Sequence, residues 1–132
     1  MNVESIVGPL SRSSRAWIDL DGCGSLYLRL TSRGIDGLPR TVIDIANVEV
    51  LSAYRLRGLF ARSVQVVEEA ARYLGRDGVF VELVLNPIVR DALARRGYSI
   101  VPATRGAIIC DAYRIFEPVD HEPLVRRYEH AD

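Results

Sequence analysis

The chain has 132 residues, 48% of them hydrophobic and 26% charged, and its 17 acidic side chains balance 17 basic ones. This is the length of one domain and the composition of a globular one, which excludes fibrous and disordered classes. A net charge of zero argues against bulk attraction to nucleic acid or a membrane surface, and no stretch approaches the ~20 apolar residues of a spanning helix.

Residues 1–14 are weakly patterned, with Gly8-Pro9 and a Ser/Arg mix; at most Ser5 to Val7 is expected to form a short edge strand. The opening lacks the positive-then-apolar layout of a secretory leader. Alternation begins at Arg15 and runs through Ala16-Trp17-Ile18-Asp19-Leu20, and after the turn Asp21 to Gly24 it resumes in Leu26-Tyr27-Leu28-Arg29-Leu30. Two alternating runs around a glycine-rich turn predict a β-hairpin, with Trp17 and Tyr27 as cross-strand partners. A loop is expected over Ser32 to Pro39, then a long strand from Thr41 to Val50 in which Asn47 breaks the alternation and marks a bulge.

Leu59, Phe60, Val64, Val67, Ala71 and Leu74 recur at three and four residues, the apolar stripe of a helix that Gly75 ends. Gly78 to Leu85 reads as a strand apolar on both faces, as in a sheet covered on both sides. Asn86-Pro87 opens a second helix, with Asn as cap, Pro at the first helical position and Gly97 past the end. Tyr98 to Pro102 and Ala107 to Phe116 read as two last antiparallel strands, and a polar tail follows from Pro118. The order is β-β-β-α-β-α-β-β, one α/β domain over residues 1–132. Cys23 and Cys110 have no Cys or His at metal-ligand spacing, so both are expected to be free thiols in a cytoplasmic protein without a metal site. His121 and His130 fall in the tail.

Two blocks carry a family resemblance. Val50 to Phe60, with Arg55-Leu56-Arg57-Gly58-Leu59-Phe60 at a strand-turn-helix junction, resembles the acyl-CoA motif of the GNAT (Gcn5-related N-acetyltransferase) family. The layout suits the chemistry, because backbone N–H groups at a helix start form an anion site and glycine lets the main chain close on a pyrophosphate. The second block, Asn86-x-x-Val89-x-x-Ala92-Leu93-Ala94-Arg95-Arg96-Gly97-Tyr98, is similar to the family's Asn-x-x-Ala-x-x-Leu-Tyr-x-x-x-Gly-Phe. The resemblance covers roughly residues 41–116. It implies a mixed, mostly antiparallel sheet of five to six strands with two main helices, the family's first strand and first helices being reduced or absent.

It also implies acetyl-CoA or another acyl-CoA as cofactor. Val48, Glu49 and Val50 would offer backbone groups to the pantetheine arm and acyl carbonyl. Arg55, Leu56, Arg57, Gly58, Leu59, Phe60 and Ala61 would hold the pyrophosphate, and Asn86 would bond the pantetheine. Glu82 or Glu49 would be the base that takes the proton of an amine acceptor on a small molecule or protein. Each residue also has a plainer reading. Asn86 serves as a cap, Arg55 and Arg57 are solvated turn residues, Glu49 is a surface residue, and Glu82 is half of a structural salt bridge. Arg90, Arg95 and Arg96 form a solvated helix face, with Asp91 and Arg95 as an i,i+4 pair. A role for these arginines at the CoA 3′-phosphate is the sharper alternative.

Three departures stand out. Leu93 replaces the tyrosine that is the family's usual general acid, leaving that role empty or moved to Tyr54, Tyr98 or water. Phe60 replaces a small residue in the pyrophosphate loop, so its ring either joins the core or obstructs the cofactor. Few residues precede the first clear strand, so the acceptor pocket is expected to be open, truncated or completed by a second subunit, with a homodimer as the expected state. The two functions in view are an N-acyltransferase and a catalytically degenerate member of the fold that modulates or inhibits a partner protein, as a phage-type effector would. Neither reading calls for nucleic acid or a membrane.

Overall fold

The computed structural model describes residues 1–50, 58–84, 86–102 and 109–117, the side chains of Val50 and Leu83 excepted. In chain order these form α1 (Val3–Arg12), β1 (Arg15–Asp19), β2 (Gly24–Ile35), β3 (Leu38–Val50), α2 (Leu59–Tyr73), β4 (Gly78–Val84), α3 (Pro87–Arg95), β5 (Ser99–Pro102) and β6 (Cys110–Ile115). The strands make one sheet in the order β1-β2-β3-β4-β6-β5, antiparallel throughout except for the parallel β3–β4 pair. The expected tail from Pro118 lies outside the described residues.

The first correction is at the start of the chain, where residues 3–12 form a helix and not an edge strand. The Asn2 side chain accepts from the Ser5 amide at 3.0 Å, and the Ser5 hydroxyl accepts from the Asn2 amide. This is a capping box with serine where Glu or Gln usually stands. Pro9 sits inside the helix, at a cost of about 3 kcal/mol in an isolated one. Ile6 and Leu10, both buried, offset it by packing in the main core. Tertiary packing overrode the breaker.

The expected loop over Ser32–Pro39 is likewise corrected. β2 runs to Ile35 and β3 begins at Leu38, joined by Asp36 and Gly37 with φ of 52° and 78°. Two positive φ values make a tight hairpin turn whose twist matches the strands. The expected bulge is present: Tyr27 pairs with Asn47 but Leu28 with Ile45, so Ala46 is the extra residue.

The two sheet faces differ. One carries Ile18, Leu26, Leu28, Ile43, Ile45, Val79, Val81 and Ala112, which join buried side chains of all three helices in a single core. The opposite face carries a small cluster of Ile35, Val42 and Phe80 with Tyr113 and Ile115, to which no described helix contributes. The sheet is therefore not covered on both sides among the described residues, contrary to the expectation for β4. Trp17, Leu38 and Val101 lie on this open face with 56%, 53% and 37% of their surface exposed.

Candidate active site

The β3–β4 ladder joins only Val42–Ile45 to Gly78–Val81. Both strands run on, β3 to Val50 on β2 alone and β4 to Val84 on β6. The bulge at Ala46 lies immediately past the last β3–β4 pair and re-aims the strand there. Past Ile45 and Val81 the two strands share no ladder pairs among the described residues, and unpaired strand edges of this kind are where an extended ligand can take strand-like hydrogen bonds.

Around this parting of the strands the expected residues fall as follows. Val48 is half-buried and packs against the main core, Glu49 is exposed, and the Val50 backbone pairs with Gly24. Arg55, Leu56 and Arg57 lie outside the described residues. Gly58 caps α2 in a left-handed conformation, φ 69°, with no side chain to satisfy the helix amides. The first intrahelical bond runs from Arg62 N–H to the Gly58 carbonyl at 3.1 Å, so the amides of Leu59, Phe60 and Ala61 precede it. No acidic residue stands in the first turn to compensate the positive end of the helix dipole. Leu59 and Phe60 pack against the main core, so the Phe60 ring belongs to the apolar stripe, whereas Ala61 is exposed. Asn86 caps α3, its side chain accepting from the Ile88 amide at 2.8 Å.

Glu82 stands on the open face beside Asp44, within a quartet completed by Arg29 and Arg33. Arg29 Nη2 donates to Glu82 Oε2 at 2.9 Å and to Asp44 Oδ2 at 3.3 Å. Arg33 Nη2 reaches Glu82 Oε1 and Asp44 Oδ2, each at 2.5 Å, and its guanidinium lies over the Phe80 ring 4.1 Å from the centroid. Both Glu82 oxygens are thus already engaged, the salt-bridge reading of this residue, whereas Glu49 is exposed. The Asp44 side chain is fully buried and its Oδ1 has no partner among the described residues. Burial pushes its carboxyl above the ordinary range, and the neighbouring Glu82 charge adds to this; the Arg33 hydrogen bond and charge oppose without overcoming it.

A second charged cluster escaped the sequence reading. Glu68 of α2 is buried and accepts from Arg96 Nε at 3.0 Å, Arg96 Nη2 at 2.8 Å, the Tyr98 hydroxyl at 2.8 Å and Arg114 Nη1 at 3.2 Å. Arg96 is therefore not part of a solvated helix face, and Asp91 contacts Arg90 at 3.5 Å in place of the expected Arg95. The visible signal was that Glu68 lies one residue after Val67 and three before Ala71, on the core side of the α2 stripe. Tyr98 is buried, burial together with the Glu68 charge drives its hydroxyl well above the usual range, and its proton is donated to Glu68, whereas Tyr54 lies outside the described residues. Leu93, where the family's tyrosine would stand, is core. Among the described residues no His, Cys, Asp or Glu group could hold a metal ion, and no helix is long and apolar enough to cross a membrane.

No family model matches the sequence, and no curated protein is significantly similar to it. Solved structures do match in fold. A candidate acetyltransferase from Agrobacterium tumefaciens aligns with a TM-score of 0.54 at 20% identity over 86% of this chain and 90% of its own. A bacterial toxin aligns with 0.54 at 18% over 96% and 78%. The AtaT toxin, solved with acetyl-CoA and the C-terminus of the antitoxin AtaR, aligns with 0.50 at 18% over 70% of this chain and 60% of its own. The chain thus spans about three fifths of that toxin's length. At these identities the likeness shows the fold: a GNAT-type α+β fold, with a six-stranded, mostly antiparallel sheet.

Proposed function

We propose that the chain is an acyl-CoA-dependent N-acyltransferase that takes acetyl-CoA or a related thioester in the slot between β3 and β4. The observation that carries this reading is the combination of a ladder ending at Ile45 and Val81, a bulge beside its last pair, and a glycine-capped α2 whose leading amides receive no capping side chain among the described residues. The pantetheine arm lies along the backbone of Val48, Glu49 and Val50, and the pyrophosphate sits on Gly58, Leu59, Phe60 and Ala61, with Arg55, Leu56 and Arg57 in the preceding turn. Asn86 bonds the pantetheine with the side-chain capacity its cap leaves unused. Phe60 packs on the core, which keeps its ring on the apolar stripe of α2.

In the reaction the acceptor amine attacks the thioester carbonyl, a main-chain amide past the bulge polarises that carbonyl, and the thiolate leaves. Glu49, exposed on the open face, takes the amine proton through a water. Glu82 holds Arg29 and Arg33 in place, since a proton on either of its oxygens would displace a guanidinium. With Leu93 in the core and Tyr98 committed to Glu68, neither of these two described residues serves the leaving group as an acid. A thiolate whose acid has a pKa near 8.5 can leave with water alone as the proton source. Aminoacylated RNA is an acceptor to test beside small amines and peptides, since AtaT, a protein of similar fold, is solved with acetyl-methionyl-tRNAfMet.

Thermal unfolding with acetyl-CoA is the first test. A ligand at ~100 times its dissociation constant adds about 2.7 kcal/mol, a rise of several degrees. Gly58→Glu should abolish the rise, by setting a carboxylate at the helix start, and leave the unliganded transition within a few degrees. Absence of any rise in the unsubstituted chain sinks the reading. One observation favours a second: with Leu93 buried, a degenerate member of the fold that binds a partner protein is the alternative, marked by binding of acetyl-CoA without turnover of any amine, peptide or charged tRNA.

A further inference from the structure

The sheet has two edges of different design. β5 is four residues long and ends in Pro102, features that blunt an edge against pairing. β1 has neither proline nor bulge, and its sequence is Arg15-Ala16-Trp17-Ile18-Asp19. Leu20 N–H donates to the Gly24 carbonyl at 2.8 Å and Leu30 N–H to the Ser14 carbonyl at 2.7 Å. Even-numbered residues therefore turn their backbone groups toward β2. The alternation of an antiparallel ladder leaves the N–H and C=O of Arg15, Trp17 and Asp19 on the outer side. No described backbone group pairs with them there.

We propose that β1 is a self-pairing edge, on which a second copy of this chain adds its own β1 antiparallel, centred on Trp17. Read against itself in that register, the strand is complementary at every position. Trp17 meets Trp17, Arg15 meets Asp19 at both ends, and Ala16 meets Ile18. All three outward-facing residues fall opposite outward-facing ones, so every outer N–H and C=O finds a partner. A slip of one residue sets outward groups against inward ones, and a slip of two breaks both Arg–Asp pairs and shortens the ladder.

Two features of the single chain support this register. Trp17 is 56% exposed yet already packed on Tyr27, ring centroids 4.9 Å apart, so the pairing extends an aromatic row across the two-fold axis. Arg15 lies directly opposite Arg29 in the β1–β2 ladder, a like-charge pair that Asp19 of the second copy would offset. Asp19 uses Oδ2 to accept from the Gly22 amide at 3.0 Å, which leaves Oδ1 for a guanidinium. The proposal stands whether or not the slot between β3 and β4 binds a thioester.

The test is sedimentation of the full chain across a concentration series. The unsubstituted chain should be dimeric, and Arg15→Asp and Asp19→Arg should each weaken the dimer by roughly tenfold or more. Mixing those two variants should restore association, because each supplies the charge the other lacks, and the double variant should pair with itself. Circular dichroism on each variant separates lost pairing from lost folding. A chain that stays monomeric throughout, a dimer indifferent to both single changes, or a mixture that fails to associate overturns the proposal.

Discussion

Glu68 and Asp44 are both carboxylates withdrawn from solvent and both face two arginines, yet their environments push them in opposite directions. Around Glu68, burial would raise the carboxyl, but hydrogen bonds from Arg96 and Tyr98 and the charges of Arg96 and Arg114 outweigh it and hold it below the ordinary range. Around Asp44 only one oxygen is served, the other has no partner among the described residues, and a second acid stands beside it. What separates the two is completeness of the donor set, not depth. The Glu68 cluster ties α2 to α3, to the start of β5 and to β6 on the packed side of the sheet. The Asp44 cluster belongs to the open side, where all the buried side-chain atoms without partners among the described residues are found: Arg29 Nε, Thr31 Oγ1, Arg40 Nε and Asp44 Oδ1.

The largest way to break this contrast is Glu68→Ala. It strands a buried tyrosine hydroxyl and two guanidiniums that are about one-third exposed and so partly rehydrate. A loss of about 2–4 kcal/mol is expected in denaturant unfolding, at the lower side of the range for breaking a buried pair. A loss below 1 kcal/mol would show that the cluster contributes little. Tyr98→Phe removes one donor to a charged acceptor and should cost about 1–2 kcal/mol, without moving the acetyl-CoA response if Tyr98 has no part in the chemistry.

The smallest expected effect is that of Asp44→Asn, within about 1 kcal/mol of the unsubstituted chain at neutral pH, and its sign with pH sharpens the comparison. Asp44 has a raised folded-state pKa, so its stabilising share is present below the ordinary value of 3.8 and is lost as pH rises through the folded value. The variant should therefore gain on the parent as pH rises from about 3. Glu68, depressed from 4.5, does the reverse: its share is present above that value and disappears as pH falls through the folded one, so the cost of Glu68→Ala should shrink in acid. Parallel pH profiles for the two variants would erase the distinction.

Much of the fold was legible along the chain. The 3.6-residue stripe gave α2, the Asn86-Pro87 pair gave the start of α3, and the break at Asn47 marked the bulge where β3 leaves β4. What was misread has physical reasons. Gly8 and Pro9 are helix breakers by propensity, and only the burial of Ile6 and Leu10 makes α1 worthwhile. Asp36-Gly37 was a readable hairpin signal lost among other polar residues of the same stretch. Of the two departures in the motif, Leu93 proves to be a core residue and Phe60 a half-buried one packed against the core, something a motif comparison does not contain.

Outside α1 and the Asp36-Gly37 hairpin, the sequence by itself determined the elements, the cap of α3 and which residues share a face, because periodicity and capping act over a few neighbouring residues. It also carried the self-complementary pattern of β1. Tertiary structure alone decided which charges meet. Glu68 finds Arg96 at 28 residues' separation and Arg114 at 46, and Arg29 finds Glu82 at 53. Those encounters depend on strand order and on where a helix crosses the sheet, and electrostatic partners are chosen by distance in space, on which local pattern is silent.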